Sequence, residues 1–144
     1  YIEAINKILR ARLCANHPAQ YGIAPSLLGD QSHLEVAMKK LTRRRDITVE
    51  MMNAIPGITC VAPEGAFYAF PRLHNVSNDF HFAVELLKET GVVVVHGSGF
   101  GQVPGTQHMR IVFLPPENIL EKAYKAIAQF HEKYVEKFEK VGVK

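Results

Sequence analysis

The chain has 144 residues, of which 47% are hydrophobic and 22% are charged, proportions that exclude a disordered or fibrous protein. The net charge of +3 is too small to indicate nucleic-acid binding, and the longest apolar run, 91–95, is too short to cross a membrane. The two cysteines lie far apart in the sequence, so they predict neither a disulfide framework nor a zinc site and favour a cytoplasmic protein.

The first part of the sequence follows a helical period. Apolar residues recur every three or four positions over 1–13 and predict a first helix, and a short second helix is expected over 19–28. Ser32, with Glu35 three residues later, has the pattern of a capping box, so a long helix is predicted from there to Ile55. Because the chain starts in helical rhythm without a methionine, we expect it to be a fragment.

The pattern then changes to short strands. Strands are predicted over 58–61 and 66–70, paired as a hairpin or as near neighbours. A helix capped by Asn78 or Asp79 follows and is expected to end at Gly91.

The last part of the sequence alternates again between strand and helix. The run 92–95 predicts a strand that is apolar on both faces, which is typical of the middle of a sheet covered on both sides or of a strand buried at a domain contact. A glycine-rich loop leads to another strand over 109–113. A final helix opens at 115–117, with an apolar stripe from Ile119 to Phe138. The predicted fold is an α/β (α+β) domain: a small, mainly antiparallel or mixed sheet of about four strands, packed against helices, with long helices at both ends.

The glycine-rich loop does not have the spacing of a nucleotide site. Residues 97–101 read G-x-G-x-G, whereas a dinucleotide fingerprint needs G-x-G-x-x-G before a helix, and no Gly-Lys-Ser/Thr of a P-loop follows. No nucleophile–histidine constellation and no spacing of metal ligands is found elsewhere.

Arg110 is the strongest candidate for a binding residue. Its neighbours Met109, Ile111 and Phe113 are apolar, so a guanidinium held there needs an anion as partner. The planar guanidinium can donate two parallel hydrogen bonds, which suits a carboxylate or a phosphate. Strand alternation could instead place Arg110 on a solvated face with Val112. From the residues alone both interpretations remain open.

Several segments resemble, in order, the C-terminal part of class I/II aminotransferases, the pyridoxal-phosphate (PLP) enzymes of the aspartate aminotransferase type and fold type I. They are Pro63-Glu-Gly-Ala-Phe-Tyr-Ala-Phe-Pro71, Gly91-Val-Val-Val-Val, Gly99-Phe-Gly101 and Arg110-Ile-Val-Phe, preceded by Arg12-Leu-Cys-Ala-Asn16-His-Pro18-Ala-Gln20. The resemblance covers nearly the whole chain. It implies that 1–30 are linking helices from a missing large domain and that 31–144 are the aminotransferase small domain.

The resemblance also implies roles for individual residues. Arg110 is expected to bind the α-carboxylate of the amino-acid substrate, which its bidentate geometry suits. Asn16 is expected to be a second substrate-binding residue, because it falls where members of the family approach the cofactor of the partner subunit. Gly65, Phe67 and Tyr68 would support the carboxylate pocket, although a core role for the two rings is an equal alternative.

The catalytic lysine of the family has no counterpart in this chain. That lysine lies in a Ser-Lys motif followed by a glycine and an arginine, so no catalytic residue and no covalent PLP are expected here. The predicted function is that of the C-terminal domain of a cytoplasmic, homodimeric aminotransferase of amino-acid metabolism, which moves an amino group between an amino acid and a 2-oxo acid. The alternatives are a free-standing amino-acid-binding module and a related PLP enzyme, either a lyase or an acyl-CoA synthase.

Overall fold

The computed structural model of the chain describes residues 1–139. The chain divides into two units, residues 1–37 and the residues from Met38 onward. Helices and two small antiparallel sheets make up the fold, which confirms the predicted class.

The first unit consists of helices. Helices α1 (Ile2–Arg12), α2 (His17–Gln20) and α3 (Ile23–Leu28) are followed by the start of α4 (Ser32–Asn53). The single helix predicted over 19–28 is therefore wrong: α2 ends before a turn at Gly22, and α3 begins after it. No residue among 1–37 is buried, so this unit by itself has no core.

The start of α4 differs from the predicted capping box. Ser32 lies inside the helix, and both its backbone nitrogen and its hydroxyl donate hydrogen bonds to the Asp30 carboxylate, at 2.9 and 2.7 Å. These bonds lower the pKa of Asp30. A carboxylate just before a helix accepts from the free donors of its first turn and is favoured by the helix dipole, so Asp30 takes the role predicted for Ser32. The other end of the helix is Asn53 rather than Ile55.

Five short strands form the two sheets. Strand β1 (Ile58–Thr59) pairs antiparallel with β3 (Arg72–Leu73), whereas β2 (Tyr68–Ala69) and β4 (Val95–His96) flank β5 (Met109–Val112). The predicted pairing of 58–61 with 66–70 is therefore wrong. Only Phe70 and Pro71 separate β2 from β3, so the chain passes directly from one sheet to the other, and β1 pairs with β3 rather than with β2.

Backbone hydrogen bonds connect the two sheets. The nitrogen of Leu73 donates to the carbonyl of Gln107 at 2.8 Å, and the nitrogen of Met109 donates to the carbonyl of Pro71 at 3.0 Å. The segment that enters β5 is therefore hydrogen-bonded to β3 and to Pro71, the residue before β3.

The valine run is not the buried central strand that its composition predicts. Only Val95 belongs to a strand, β4, and that strand lies at the edge of its sheet. Val93 is 74% exposed, whereas Val92 and Val94 are partly buried against the core. An edge segment has only one face on the core, so alternate side chains point to solvent.

The core of the second unit lies between the sheets and the helices α4, α5 (Asp79–Thr90) and α6 (Glu117–Tyr134). Phe82 of α5 is completely buried and packs edge-on against Phe130 and Tyr134 of α6, with ring centroids 5.2 and 5.0 Å apart. The hydroxyl groups of Thr48 and Tyr124 share a buried hydrogen bond of 2.7 Å. Burial raises the pKa of Tyr124 to about 12.

The ends of α5 follow the sequence prediction, while the stripe on α6 does not follow it throughout. Asn78 caps α5 by accepting a hydrogen bond from the nitrogen of His81 at 2.9 Å, and Gly91 ends the helix with φ 74°.

On α6 the two residues at the ends of the predicted apolar stripe, Ile119 and Phe138, are exposed. The helix turns Leu120 and Tyr124 inward in place of Ile119, and its continuation over Val135–Glu139 is a π-helix, whose wider turn shifts the buried face.

Removing residues 1–30 is expected to change the midpoint of thermal unfolding by less than about 3 °C, because these residues bury no side chain and a loss of 1 kcal/mol would shift it by about 4–8 °C. Circular dichroism melting of the shortened and the full chain at equal concentration measures this shift. A fall of more than about 8 °C would show that the first unit contributes to the folded core.

Candidate functional site

Arg110 lies on β5, the middle strand of its sheet, opposite Val95 of β4. Its strand neighbours Met109 and Ile111 are buried in the core, and Val112 is exposed. Alternation thus places the arginine on the face of the sheet that points away from the core. This face is nevertheless not fully solvated, since Arg110 is half-buried.

Two aromatic rings hold the Arg110 guanidinium. Its Cζ atom lies 4.2 Å from the centroid of the Phe100 ring and 4.9 Å from that of Tyr68, distances at which cation–π attraction is effective. Tyr68 reaches it as a diagonal neighbour, because β2 pairs with β5 so that Tyr68 is opposite Val112. Both rings are themselves partly exposed, so the guanidinium lies at an open edge of the molecule.

The charge of Arg110 is not neutralised within the described residues. The Nε atom is buried and has no hydrogen-bond partner, and no carboxylate among residues 1–139 forms an ion pair with this side chain. Rings that cover the faces of a guanidinium leave its edge available for bidentate hydrogen bonds. This arrangement suits an external carboxylate or phosphate.

The glycine-rich loop supplies Phe100. Its residues Gly97–Phe100 form one turn of 3-10 helix, and Gly101 follows with φ 67°. A Cβ atom on Gly97 would lie 2.5 Å from the Cβ of His108 and 2.6 Å from Oε1 of Gln102. Glycine is needed at position 97 because the loop lies directly against the segment that enters β5. This close approach explains the glycine without a bound phosphate.

A buried carboxylate, Asp79, holds this loop. It accepts hydrogen bonds from the nitrogen and the hydroxyl of Ser98, at 2.9 and 2.8 Å, and from Nε2 of Gln102 at 2.9 Å. Burial alone raises the pKa of Asp79, but these bonds and one from the nitrogen of His108 outweigh it, so the pKa of the carboxyl is lowered. Asp79 is therefore ionised at neutral pH.

A second ring pair lies beside Arg110. The imidazole of His108 stacks on Phe70, with centroids 4.7 Å apart and planes inclined by 8°, and Phe70 meets Phe100 edge-on at 6.3 Å. Burial and the nearby charge of Arg72 lower the pKa of His108, so its ring is neutral at pH 7. Phe100, Phe70 and His108 thus form one connected group of rings, of which Phe100 contacts the guanidinium.

Comparison with known proteins decides the family. Residues 1–127 match the model of the family described as aminotransferase class I and II. The chain belongs to the class I and II aminotransferase family. This aminotransferase chain is 39% identical over 140 residues to the glutamate-pyruvate aminotransferase AlaA of Haemophilus influenzae, covering 93% of the chain and 34% of that protein. It is 33% identical over 158 residues to alanine aminotransferase 2 of Xenopus tropicalis, covering 94% of the chain and 30% of that protein.

A solved structure shows the same fold. The alanine aminotransferase of Pyrococcus furiosus superposes with a TM-score of 0.79 at 44% sequence identity, over 91% of this chain and 34% of that one. The aminotransferase chain therefore spans about a third of the length of the relatives it matches.

The residues predicted to surround Arg110 in the aminotransferase chain divide between site and core. Tyr68 contacts the guanidinium, whereas Phe67 is half-buried against the core and its carbonyl accepts from the nitrogen of Phe113 at 3.1 Å. Gly65 is exposed and has open space around it. Phe67 therefore has the core role, while support of a carboxylate pocket by Tyr68 and Gly65 stays a prediction.

Asn16 belongs to the first unit, separate from the unit that contains Arg110. It precedes α2 directly, is exposed, and its side chain makes no capping hydrogen bond to that helix. Its role near the cofactor of a partner subunit stays a prediction.

Two contributors to the site are not predicted from the sequence as site residues. Phe100 belongs to a motif of the glycine-rich loop, and Asp79 has the pattern of a possible helix cap, although Asn78 caps the helix. The sequence offers one indication that Asp79 has another role: Asn78, the residue before it, is sufficient to cap the helix. Nothing in the sequence indicated that the carboxylate would be buried.

PLP is the cofactor of this family. Every lysine among residues 1–139 is exposed and lies on a helix, none on the strands or the loop around Arg110. The absence of the PLP-binding lysine from this chain stays a prediction.

Metal-binding clusters and membrane-spanning helices are both absent from the described residues. No group of three or more His, Cys, Asp or Glu side chains within residues 1–139 is placed to hold a metal ion. Within the same range, no helix has the length and apolar character needed to cross a membrane.

Proposed function

We propose that this chain is the C-terminal domain of a PLP-dependent aminotransferase that moves an amino group between an amino acid and a 2-oxo acid, with Arg110 binding the α-carboxylate of the substrate. The observation that carries this proposal is the uncompensated guanidinium of Arg110, held between the rings of Phe100 and Tyr68 at an open edge. Membership of the family supports it.

The geometry explains why arginine suits this task. A carboxylate that accepts two parallel hydrogen bonds from a guanidinium is fixed in both distance and orientation. Rings on the guanidinium faces reduce its contact with water, which strengthens the interaction with the anion. The α-carbon next to the carboxylate is thereby placed in a defined position, as a reaction at that carbon requires.

The chemistry of amino-group transfer is supplied by PLP, which acts as an electron sink. The lysine that holds it is proposed to lie in the part of the enzyme outside this chain. The proposal that the PLP-binding lysine lies outside this chain is supported by the exposed, helical positions of the lysines among residues 1–139.

The names of the relatives suggest the substrates. Those relatives are called alanine aminotransferases and a glutamate-pyruvate aminotransferase, so we propose glutamate as amino donor and pyruvate as acceptor, with 2-oxoglutarate and alanine as products. Both oxo acids and both amino acids carry the carboxylate that Arg110 would bind.

Residues 1–30 are proposed to link this domain, 31–144, to the large domain of a cytoplasmic homodimer, with Asn16 near the partner's cofactor. The absence of any buried side chain among residues 1–37 supports this role. Apolar residues of α1 such as Ile2, Ile8 and Leu9 are exposed, and an apolar helix surface of this kind is stabilised when another part of a protein covers it.

The experiment that tests the function is an assay of the complete protein encoded by the natural gene. Glutamate-dependent conversion of pyruvate to alanine after addition of PLP supports the proposal. A gene that encodes only this segment, with no Ser-Lys motif upstream, together with alanine binding but no turnover, would instead favour the amino-acid-binding module. Decarboxylation or elimination without amino transfer would favour a synthase or a lyase.

The chain of 144 residues alone is expected to form no covalent link with PLP. After incubation with PLP and reduction with borohydride, peptide mapping should find no pyridoxyl group on any single lysine in stoichiometric amount. The complete protein serves as the positive control, because its lysine upstream of Tyr1 should be labelled. Stoichiometric labelling of one lysine within residues 1–144 would contradict the proposed division.

A further inference from the structure

The buried carboxylate of Asp79 is the least expected group in this part of the fold. It is 3% exposed, and a buried carboxylate is costly unless hydrogen bonds satisfy its oxygens. The donors that satisfy it come from the glycine-rich loop and the start of β5: Ser98, Gln102 and His108. Its own backbone nitrogen donates to Oε1 of Gln107 at 3.0 Å. The carboxylate thus ties α5 to the segment that leads to Arg110.

One branch of this network leads to Phe100. Ser98 is bound to Asp79 through both its nitrogen and its hydroxyl, and Phe100 follows two residues later in the same turn. The Phe100 ring is 46% exposed, so burial in a core does not fix its position. The position of this ring over the guanidinium of Arg110 therefore depends on the turn that Asp79 holds.

The other branch leads to His108. Nε2 of Gln102 donates to Asp79, so Oε1 of the same amide is left to accept from Nδ1 of His108, at 2.9 Å. Because an amide oxygen only accepts, the proton of the neutral imidazole lies on Nδ1. The imidazole oriented in this way is the one that stacks on Phe70.

We propose that Asp79 is a positioning residue for the carboxylate site, acting through Ser98 to place Phe100 on the face of Arg110 and through Gln102 to orient His108 against Phe70. This inference rests on the proposed function, since it assigns Asp79 to the site that binds the substrate carboxylate. Asp79 acts indirectly, because the hydrogen-bond partners of its side chain are Ser98, Gln102 and His108 rather than Arg110.

The functional test is a double-mutant cycle in the complete enzyme. Asp79→Asn keeps the size of the side chain but puts an NH2 group where donors now point, so it should release the loop. The KM for the amino acid is expected to rise about tenfold while kcat changes less than about twofold, the pattern of a lost binding contact. Phe100→Ala should act similarly, and the double variant should raise KM little further because both changes remove the same contact.

The matched control is Asp46→Asn, which makes the same chemical change at an exposed position on α4. It is expected to leave KM and kcat at the values of the parent enzyme. Additive effects in the double variant, or an unchanged KM for Asp79→Asn, would overturn the positioning role.

A second measurement is independent of activity. In the chain of 144 residues labelled with nitrogen-15, the ring current of Phe100 should shift the Hε resonance of Arg110 upfield. Phe100→Ala should remove this shift, Asp79→Asn should move the resonance towards the same value, and Asp46→Asn should not. An Hε resonance that stays in place in Asp79→Asn would contradict the proposal.

The tests also separate the two proposals and allow for poor folding. If Asp79→Asn does not fold, Ser98→Ala removes only the hydroxyl donor and should move KM and the Arg110 resonance in the same direction by a smaller amount. An effect of Arg110→Lys without any effect at Asp79 or Ser98 would overturn the positioning role alone. An unchanged kcat/KM in Arg110→Lys would overturn the carboxylate assignment, while the resonance would still report whether Asp79 places Phe100.

Discussion

Replacing Arg110 with lysine in the complete enzyme is expected to lower kcat/KM for the amino acid by a factor of about 10–100, the loss that corresponds to removing a charged, bidentate hydrogen bond of about 1.5–3 kcal/mol. Lysine keeps the positive charge but presents a compact ammonium group that cannot form the two parallel bonds. It also lacks the planar face that packs between Phe100 and Tyr68 in the structure. The fall in kcat/KM should therefore be larger than a shift in the position of the positive charge would cause by itself.

Steady-state kinetics with glutamate and with alanine measure this loss, and the matched control is Arg43→Lys. Arg43 is exposed on α4, so its conversion should leave kcat/KM within about twofold of the parent value. Thermal melting of each variant shows whether the fold is kept. Unchanged kcat/KM in a folded Arg110→Lys variant would contradict the assignment of the carboxylate site.

The largest loss of stability is expected for Phe82→Ala, which should lower the free energy of unfolding by about 3–5 kcal/mol. Phe82 is completely buried, and its ring packs against those of Phe130, His131 and Tyr134. Removing it leaves a cavity at the contact between α5 and α6. Since a domain is stable by only about 5–15 kcal/mol in total, the variant should be close to unfolding.

Urea denaturation of the chain of 144 residues measures this change, with Phe80→Ala as the control. Phe80 lies two residues earlier on the same helix and is 56% exposed, and among the aromatic rings of residues 1–139 its ring contacts that of His96, edge-on at 5.2 Å. The same substitution there should cost no more than about 1 kcal/mol. Equal losses at the two positions would show that the α5–α6 contact does not dominate the stability of the core.

The helices and their ends could be predicted well where the determinants are local. The cap at Asn78 and the stop at Gly91 depend on residues within one turn of each helix end, and both are found in the structure. The pairing of strands could not be predicted in the same way. Residues 66–70 were expected beside 58–61, yet β2 pairs with β5, more than 40 residues away in the sequence. Such long-range pairing is decided by packing of the whole domain rather than by adjacent residues.

The candidate site shows the same division. Arg110, its strand and its apolar neighbours could be recognised from the sequence, because a charged residue in an apolar strand is a local feature, and ordered motifs pointed to the family. The partners of the arginine depend on the tertiary structure. The β2–β5 register brings Tyr68 beside the guanidinium, and contacts between α5 and the loop bring Asp79 to Ser98. These contacts join residues about 20 to 40 positions apart, and whether such groups meet is determined by strand register and helix packing, which no local pattern encodes.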